Sequence, residues 1–119
     1  MANTVTESLP SIAVTLDAIT FNLAPGVLIV AVTGVHHILD EIVLSTGDLA
    51  LSKGNVGTIG RYYAKNLDIT NTIQIGSDGA LYPIALKPGE WTIGRWNAAA
   101  FHAKSSAGSP KILYLLVED

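Results

Sequence analysis

This sequence predicts an all-β fold: a single-domain antiparallel β-sandwich, jelly-roll-like, of roughly eight strands. Three observations carry that expectation. Short apolar stretches alternate with polar residues at a period of two, the spacing that puts every second side chain of a strand on one face. Turn chemistry separates the stretches, at Ala24-Pro25-Gly26, Ser45-Thr46-Gly47-Asp48, Gly76-Ser77-Asp78-Gly79, Lys87-Pro88-Gly89 and the Ser/Gly/Pro run of 105–110. Only the segment 35–44 has spacings that also fit a helix, so a helical layer lacks material.

Residues 1–10 read as a polar N-terminal arm, frayed unless a neighbour holds it, and 11–119 as the sandwich domain. Ile12, Val14 and Leu16 alternate with small or polar residues, and the alternation resumes at Ile19, Phe21 and Leu23 with opposite parity. A bulge or tight turn at Asp17-Ala18 would return both sets to one face. Val27 to Thr33 is a strand with two apolar faces, ended by Gly34. In 35–44 the β-branched Val35, Ile38, Ile42 and Val43 favour a strand over the amphipathic helix. Leu49 to Leu51 is short, and the glycines and Asn of 52–57 ask for turns.

Strands follow at Arg61–Lys65 and Thr72–Ile75, then a hairpin loop at Gly76–Gly79 and a return strand over 81–86 that Pro83 marks as an edge or an interruption. After Lys87-Pro88-Gly89 come Glu90–Trp96, Ala98–Lys104 and the closing strand Lys111–Val117. That last strand is apolar on both faces, Ile112, Tyr114 and Leu116 on one and Leu113, Leu115 and Val117 on the other. Both should therefore be covered, one by the core and one by a partner. The odd set, having no polar atom, is expected to face the core. The set with Tyr114 is expected to face a partner, where a phenol keeps a hydrogen bond.

At 119 residues the chain suits one core. Charged residues are 14% against roughly 25% in ordinary soluble domains, too few to solvate a free surface, and this points to a subunit of an assembly. The net charge of -3, with no basic run, offers nucleic acid no footprint. The longest apolar run, Val27 to Val32, is far short of a membrane-spanning helix, and the first residues do not read as a secretion signal. With no cysteine, thiolate chemistry and Cys-ligated zinc are excluded.

His36, His37, Asp40 and Glu41 form the one cluster with metal-ligand chemistry. On a strand, however, His36 and Asp40 lie about 13 Å apart, so the reading is ordinary polar residues and no metal or other cofactor is expected. Serines, His102 and several acids are present without a motif that brings them together, so no catalytic residue is assigned and no enzyme activity is expected. The aromatics invite a second reading. Trp91 and Trp96 have opposite parity, as do Tyr62 and Tyr63, so one of each pair is free to face a partner or stack on a sugar. The interface candidates are Ile112, Tyr114, Leu116, Trp91, Trp96 and Tyr62.

The second half of the chain resembles a group of small bacteriophage virion proteins. The likeness runs through Gly60, Asn66-Leu67-Asp68, Asn71, Ile75-Gly76, Leu86-Lys87-Pro88-Gly89-Glu90, Arg95, Ala103-Lys104 and a closing hydrophobic strand ending in Glu118-Asp119. The resemblance implies a non-enzymatic, largely β structural protein located in the virion. A trimeric capsid decoration or cement subunit contacting itself and the major capsid protein fits best. A tail or head-tail connector component, or a host-attachment module binding a surface glycan, are the alternatives.

Overall fold

The structure is a computed structural model that describes residues 3–8, 12–16, 19–23, 26–32 and 34–119. It is all-β, and it divides into two compact units, Met1–Thr33 and Gly34–Asp119.

In the first unit, β1 (Asn3–Ser8) pairs antiparallel with β4 (Val27–Val32), and β2 (Ile12–Leu16) pairs antiparallel with β3 (Ile19–Leu23). The leader read as an arm is thus a strand from Asn3, and β4 is the neighbour that holds it. The register sets Ile12 opposite Leu23, Val14 opposite Phe21 and Leu16 opposite Ile19, so each even residue meets an odd one. The change of parity in the sequence is what such a pairing requires. The turn expected at Asp17-Ala18 lies outside the described residues, as do Ala24 and Pro25. Gly26, at φ 80°, takes the left-handed conformation expected of that turn's glycine.

The sandwich is seen in the second unit. Its strands are β5 (His37–Val43), β6 (Leu49–Ala50), β7 (Ile59–Asn66), β8 (Ile73–Gly76), β9 (Ile84–Leu86), β10 (Trp91–Arg95), β11 (His102–Ser105) and β12 (Lys111–Glu118). They form two antiparallel four-stranded sheets, in the orders β10-β7-β12-β5 and β6-β11-β8-β9. Within segment 35–44, His37–Val43 is a strand. The return strand after the 76–79 loop is confined to Ile84–Leu86 because Pro83, without an N–H, stands just before it. Lys87-Pro88-Gly89-Glu90 closes a turn in which Glu90 N–H donates to Lys87 O at 3.0 Å, Pro88 supplies the fixed φ and Gly89 the positive one, 80°.

The core is built from alternate residues of the two sheets. Ile112, Tyr114 and Leu116 of β12, with Tyr62 and Ala64 of β7, pack with Ile73 and Ile75 of β8, Leu86 of β9 and Ala103 of β11. Leu44, Leu51, Val56, Ile59, Trp96 and Phe101 complete it. The rings form a chain: Tyr62 to Trp96 at 5.1 Å between centroids, Trp96 to Phe101 at 4.6 Å and Phe101 to Tyr114 at 6.2 Å.

The face assignment of β12 is corrected here, since the even set is the core set. All three of Ile112, Tyr114 and Leu116 are fully buried, while Leu113, Leu115 and Val117 are only half-buried. The criterion failed because a backbone carbonyl at the rim of the core serves a phenol as well as water does: Tyr114 donates to Ser52 O at 2.7 Å. Burial, with the charge of Asp40 as a lesser cause, pushes the Tyr114 phenol pKa up.

Candidate functional site

The cross-strand register fixes which residues share the outer face of the first sheet. One row runs Trp91, Lys65, Leu113, Glu41, the next Ile93, Tyr63, Leu115, Leu39, and the third Arg95, Arg61, Val117, His37. Charged residues bound this face above and below, and its middle row is entirely apolar or aromatic. Val43, Leu39 and Trp91 are 56%, 62% and 44% exposed, and the Trp91 ring stacks on Tyr63 at 6.4 Å. At the margins Lys111 lies 3.7 Å from Glu41, and Arg95 donates to Asp119 at 3.2 Å. The sheet is apolar on this face because β12 and β7 alternate nothing polar into their central positions. That is the doubly apolar pattern read in the sequence.

Of the six interface candidates, only Trp91 lies on this face. Ile112, Tyr114, Leu116, Tyr62 and Trp96 are in the core, which removes them as contact residues. Their polar atoms find partners inside: Tyr62 hydroxyl and Thr92 Oγ1 are 3.0 Å apart, and Trp96 Nε1 donates to Ala100 O at 2.8 Å. Parity alone told that one Trp and one Tyr of each pair face outward, and these are Trp91 and Tyr63.

The second sheet carries a polar cluster that sequence reasoning missed. Asp48, just before β6, holds His102 Nδ1 of β11 through Oδ2 at 2.8 Å and accepts the Tyr82 hydroxyl through Oδ1. The Lys104 ammonium lies 4.3 Å above the centre of the Tyr82 ring. The 77–83 loop reaches this position by crossing β8 at Gly76, where a Cβ would lie 2.0 Å from Leu81 O, so only glycine fits. Asp78 shapes the loop by accepting the N–H groups of Ala80 at 2.8 Å and Leu81 at 3.0 Å. The Tyr82 and His102 hydrogen bonds lower the Asp48 carboxyl below its ordinary value, and the same Tyr82 bond pushes the phenol up to about 12. Partners 34 and 54 residues apart carry no sequence signal of their own. The cluster binds three elements of the sheet to one another.

Other acids and amides that stood out in sequence have local structural partners. Glu118 accepts the N–H of Gly57 at 2.7 Å and of Val35 at 3.1 Å, with His36 Nδ1 at 3.1 Å, and the backbone donors hold its pKa down. Gly34 makes room for it, since a Cβ there would lie 2.4 Å from Glu118 Cγ. Asn66, fully buried, donates to Asn71 O at 2.8 Å and Leu86 O at 2.9 Å and accepts from Asp68 N–H at 2.9 Å. Asp68 in turn accepts Asn71 N–H at 2.7 Å, which lowers its pKa. The four residues with metal-ligand chemistry disperse: His36 goes to Glu118, His37 and Glu41 to the outer face, and the Asp40 carboxylate to Glu41 N–H at 2.9 Å. Two shallow hollows of about 310 and 330 Å³ lie beside Arg95, Trp96 and Asp119 and beside Leu81, Tyr82 and Pro83.

No protein-family model, curated protein or solved structure matches the chain. The likeness to bacteriophage virion proteins therefore stands on the sequence pattern alone.

Proposed function

We propose that this chain is a non-enzymatic structural subunit of a bacteriophage particle, a decoration or cement protein that seats the outer face of the β10-β7-β12-β5 sheet on the protein shell. The observation that carries the reading is the apolar middle row Ile93, Tyr63, Leu115, Leu39, half-buried except for the exposed Leu39 and flanked by Trp91, Leu113 and Val43. Strands about 4.8 Å apart and rows about 6.7 Å apart give these seven residues an extent of about 220 Å². That is below the largest apolar patch an ordinary monomer leaves open, so the arrangement of the patch and not its size marks it. The charged rows above and below give the geometry of an interface, an apolar centre inside a polar rim.

Cement of this kind works by adding buried area between shell subunits, so that opening the shell must first break those contacts. The virion assignment draws on the resemblance, and the low charge content agrees with it. A glycan-binding reading has less support, because Trp91 and Tyr63 lie on the broad outer face of a sheet beside aliphatic Ile93 and Leu115.

The test is mass spectrometry of virions banded by density from infection with the phage encoding the chain, followed by incorporation of Leu115→Asp. Stoichiometric wild-type protein in the band, with a folded Leu115→Asp left in the supernatant, supports the proposal. Absence of the wild-type chain from purified virions overturns it.

A further inference from the structure

We propose that the free edge of β5 is a self-association site, pairing antiparallel with β5 of a second copy about a two-fold axis at Leu39. The two four-stranded sheets then become one sheet of eight. β5 is the end strand of its sheet and pairs with β12 on one side. Leu44 N–H donates to Pro110 O, and His36 O accepts Glu118 N–H, so the even residues turn their backbone groups towards β12. By alternation the odd residues His37, Leu39, Glu41 and Val43 turn theirs to the open edge. Glu41 agrees with this phase, because its N–H is taken up by the Asp40 carboxylate and not by a strand.

The side chains of the odd row of β5 read His37, Leu39, Glu41 and Val43, with Val35 two residues before the strand, and this order is self-complementary. A two-fold axis at Leu39 places Leu39 against its own copy, His37 against Glu41 and Val35 against Val43, each contact occurring twice where the residues differ. Imidazole meets carboxylate and apolar meets apolar. Centring on Asp40 would oppose two carboxylates and leave Glu41 facing Leu39, while centring on Ile38 would leave Glu41 facing Val35. Like charges opposed across strands are destabilising, which excludes centring on Asp40, and the register at Leu39 is the one that pairs the outer-face row throughout, although on the other face it sets Asp40 against Ile38.

The backbone ladder covers His37 to Glu41 and makes about six hydrogen bonds. Val35 adds side-chain contact only, since its N–H already serves Glu118. Val35, Leu39 and Val43 are 72%, 62% and 56% exposed, so the pairing buries apolar surface that the single subunit leaves in water. Asp40, which now blocks the edge at Glu41 N–H, yields that donor to the His37 carbonyl of the second copy. A two-fold contact is isologous and closes at two copies. It also continues the outer sheet face across the seam, doubling its width.

The experiment is sedimentation equilibrium of the full chain at micromolar concentrations, with three kinds of variant. Leu39→Pro deletes an N–H on the open edge and leaves the β12 ladder intact, so the subunit stays folded by circular dichroism and the dimer dissociates at least about tenfold more readily. His37→Glu weakens the dimer, and His37→Glu with Glu41→His restores it by exchanging the partners. Because the chain has no cysteine, the double variant His37→Cys with Glu41→Cys should form a disulfide-linked dimer under oxidation, whereas neither single variant should. A monomeric wild type, a dimer indifferent to Leu39→Pro, or single cysteines that cross-link as well as the pair would each overturn the proposal. Leu115→Asp lies off the seam and should leave the edge dimer intact, so loss of particle binding and loss of the dimer are separable failures.

Discussion

The two sheets of the second unit share one core and differ in what they do with their outer faces. The first has strands of up to eight residues, and its outer face is apolar in the middle with its charges kept to the rows above and below. The second has strands of two to four residues, and its outer side is occupied by its own loop: Tyr82 lies beneath Lys104 and, with His102, binds Asp48. A surface whose polar groups are satisfied internally has little left to offer a partner, whereas an apolar row between charged rows has nothing within the sheet to cover it. The same core thus supports one finished face and one unfinished face.

The comparison is broken most severely by exchanging the roles of the two faces of β12. Ile112→Asp buries a carboxylate where no partner exists and should cost about 4 kcal/mol or more, enough to unfold the unit. Leu115→Asp, on the outer row, should cost about 1 kcal/mol or less and leave the circular dichroism spectrum unchanged. Urea titration of both variants measures the difference, and equal losses would mean that the outer face is packed as tightly as the inner.

Next in size is Asn66→Ala. The Asn66 side chain ties the end of β7 to the carbonyls of Asn71 and Leu86, so it connects the first sheet to the strand that edges the second. Its removal leaves two acceptors and the Asp68 N–H short of a partner and should cost about 2 to 3 kcal/mol. Asp68→Ala, which touches only the exposed turn, should cost less.

These two cases also mark what was legible in the sequence. Two apolar faces on Lys111–Val117 were visible as alternation failing to occur, and the turn at 87–90 was visible as Pro and Gly in their required places, whereas the loop expected at 76–79 runs over 77–83 with Gly76 inside β8. Which face of β12 is the core was not legible, because it depends on Ser52 O waiting 62 residues away for the Tyr114 hydroxyl. Asn66, Asp68 and Asn71 were noticed as pattern and prove to be turn and strand-end ties. The Asp48, Tyr82 and His102 cluster left no trace, since each residue is ordinary in its own segment and only the sheet order brings them together.

A smaller effect separates the sheets by acid. Glu118, at the end of β12, is held below the ordinary 4.5 by the N–H groups of Gly57 and Val35. A depressed carboxyl contributes stability that is present above its ordinary value and lost as the pH falls through the lowered one. Glu118→Gln should therefore flatten the acid limb of the stability profile in the range below 4.5, as read by thermal unfolding at stepped pH. An unchanged limb would mean that the carboxylate adds nothing that the amide cannot supply.

The smallest effect lies on the alkaline side and belongs to the second sheet. Tyr82 is raised from 10.0 to about 12 by its hydrogen bond to Asp48, so the folded state keeps a proton that the unfolded chain has already lost. Its contribution is complete below pH 10.0 and declines as the pH rises towards about 12. Tyr114 is raised as well, by burial, and it adds to the same decline from the first sheet. The two are told apart by substitution. Tyr82→Phe should remove one phenol from the late part of the ultraviolet phenolate titration and lessen the alkaline loss without abolishing it, the remainder belonging to Tyr114. Should Tyr82→Phe leave the late part of the titration undiminished, the raised phenol would not be Tyr82, and the Asp48 contact would not be what holds the 77–83 loop against its sheet.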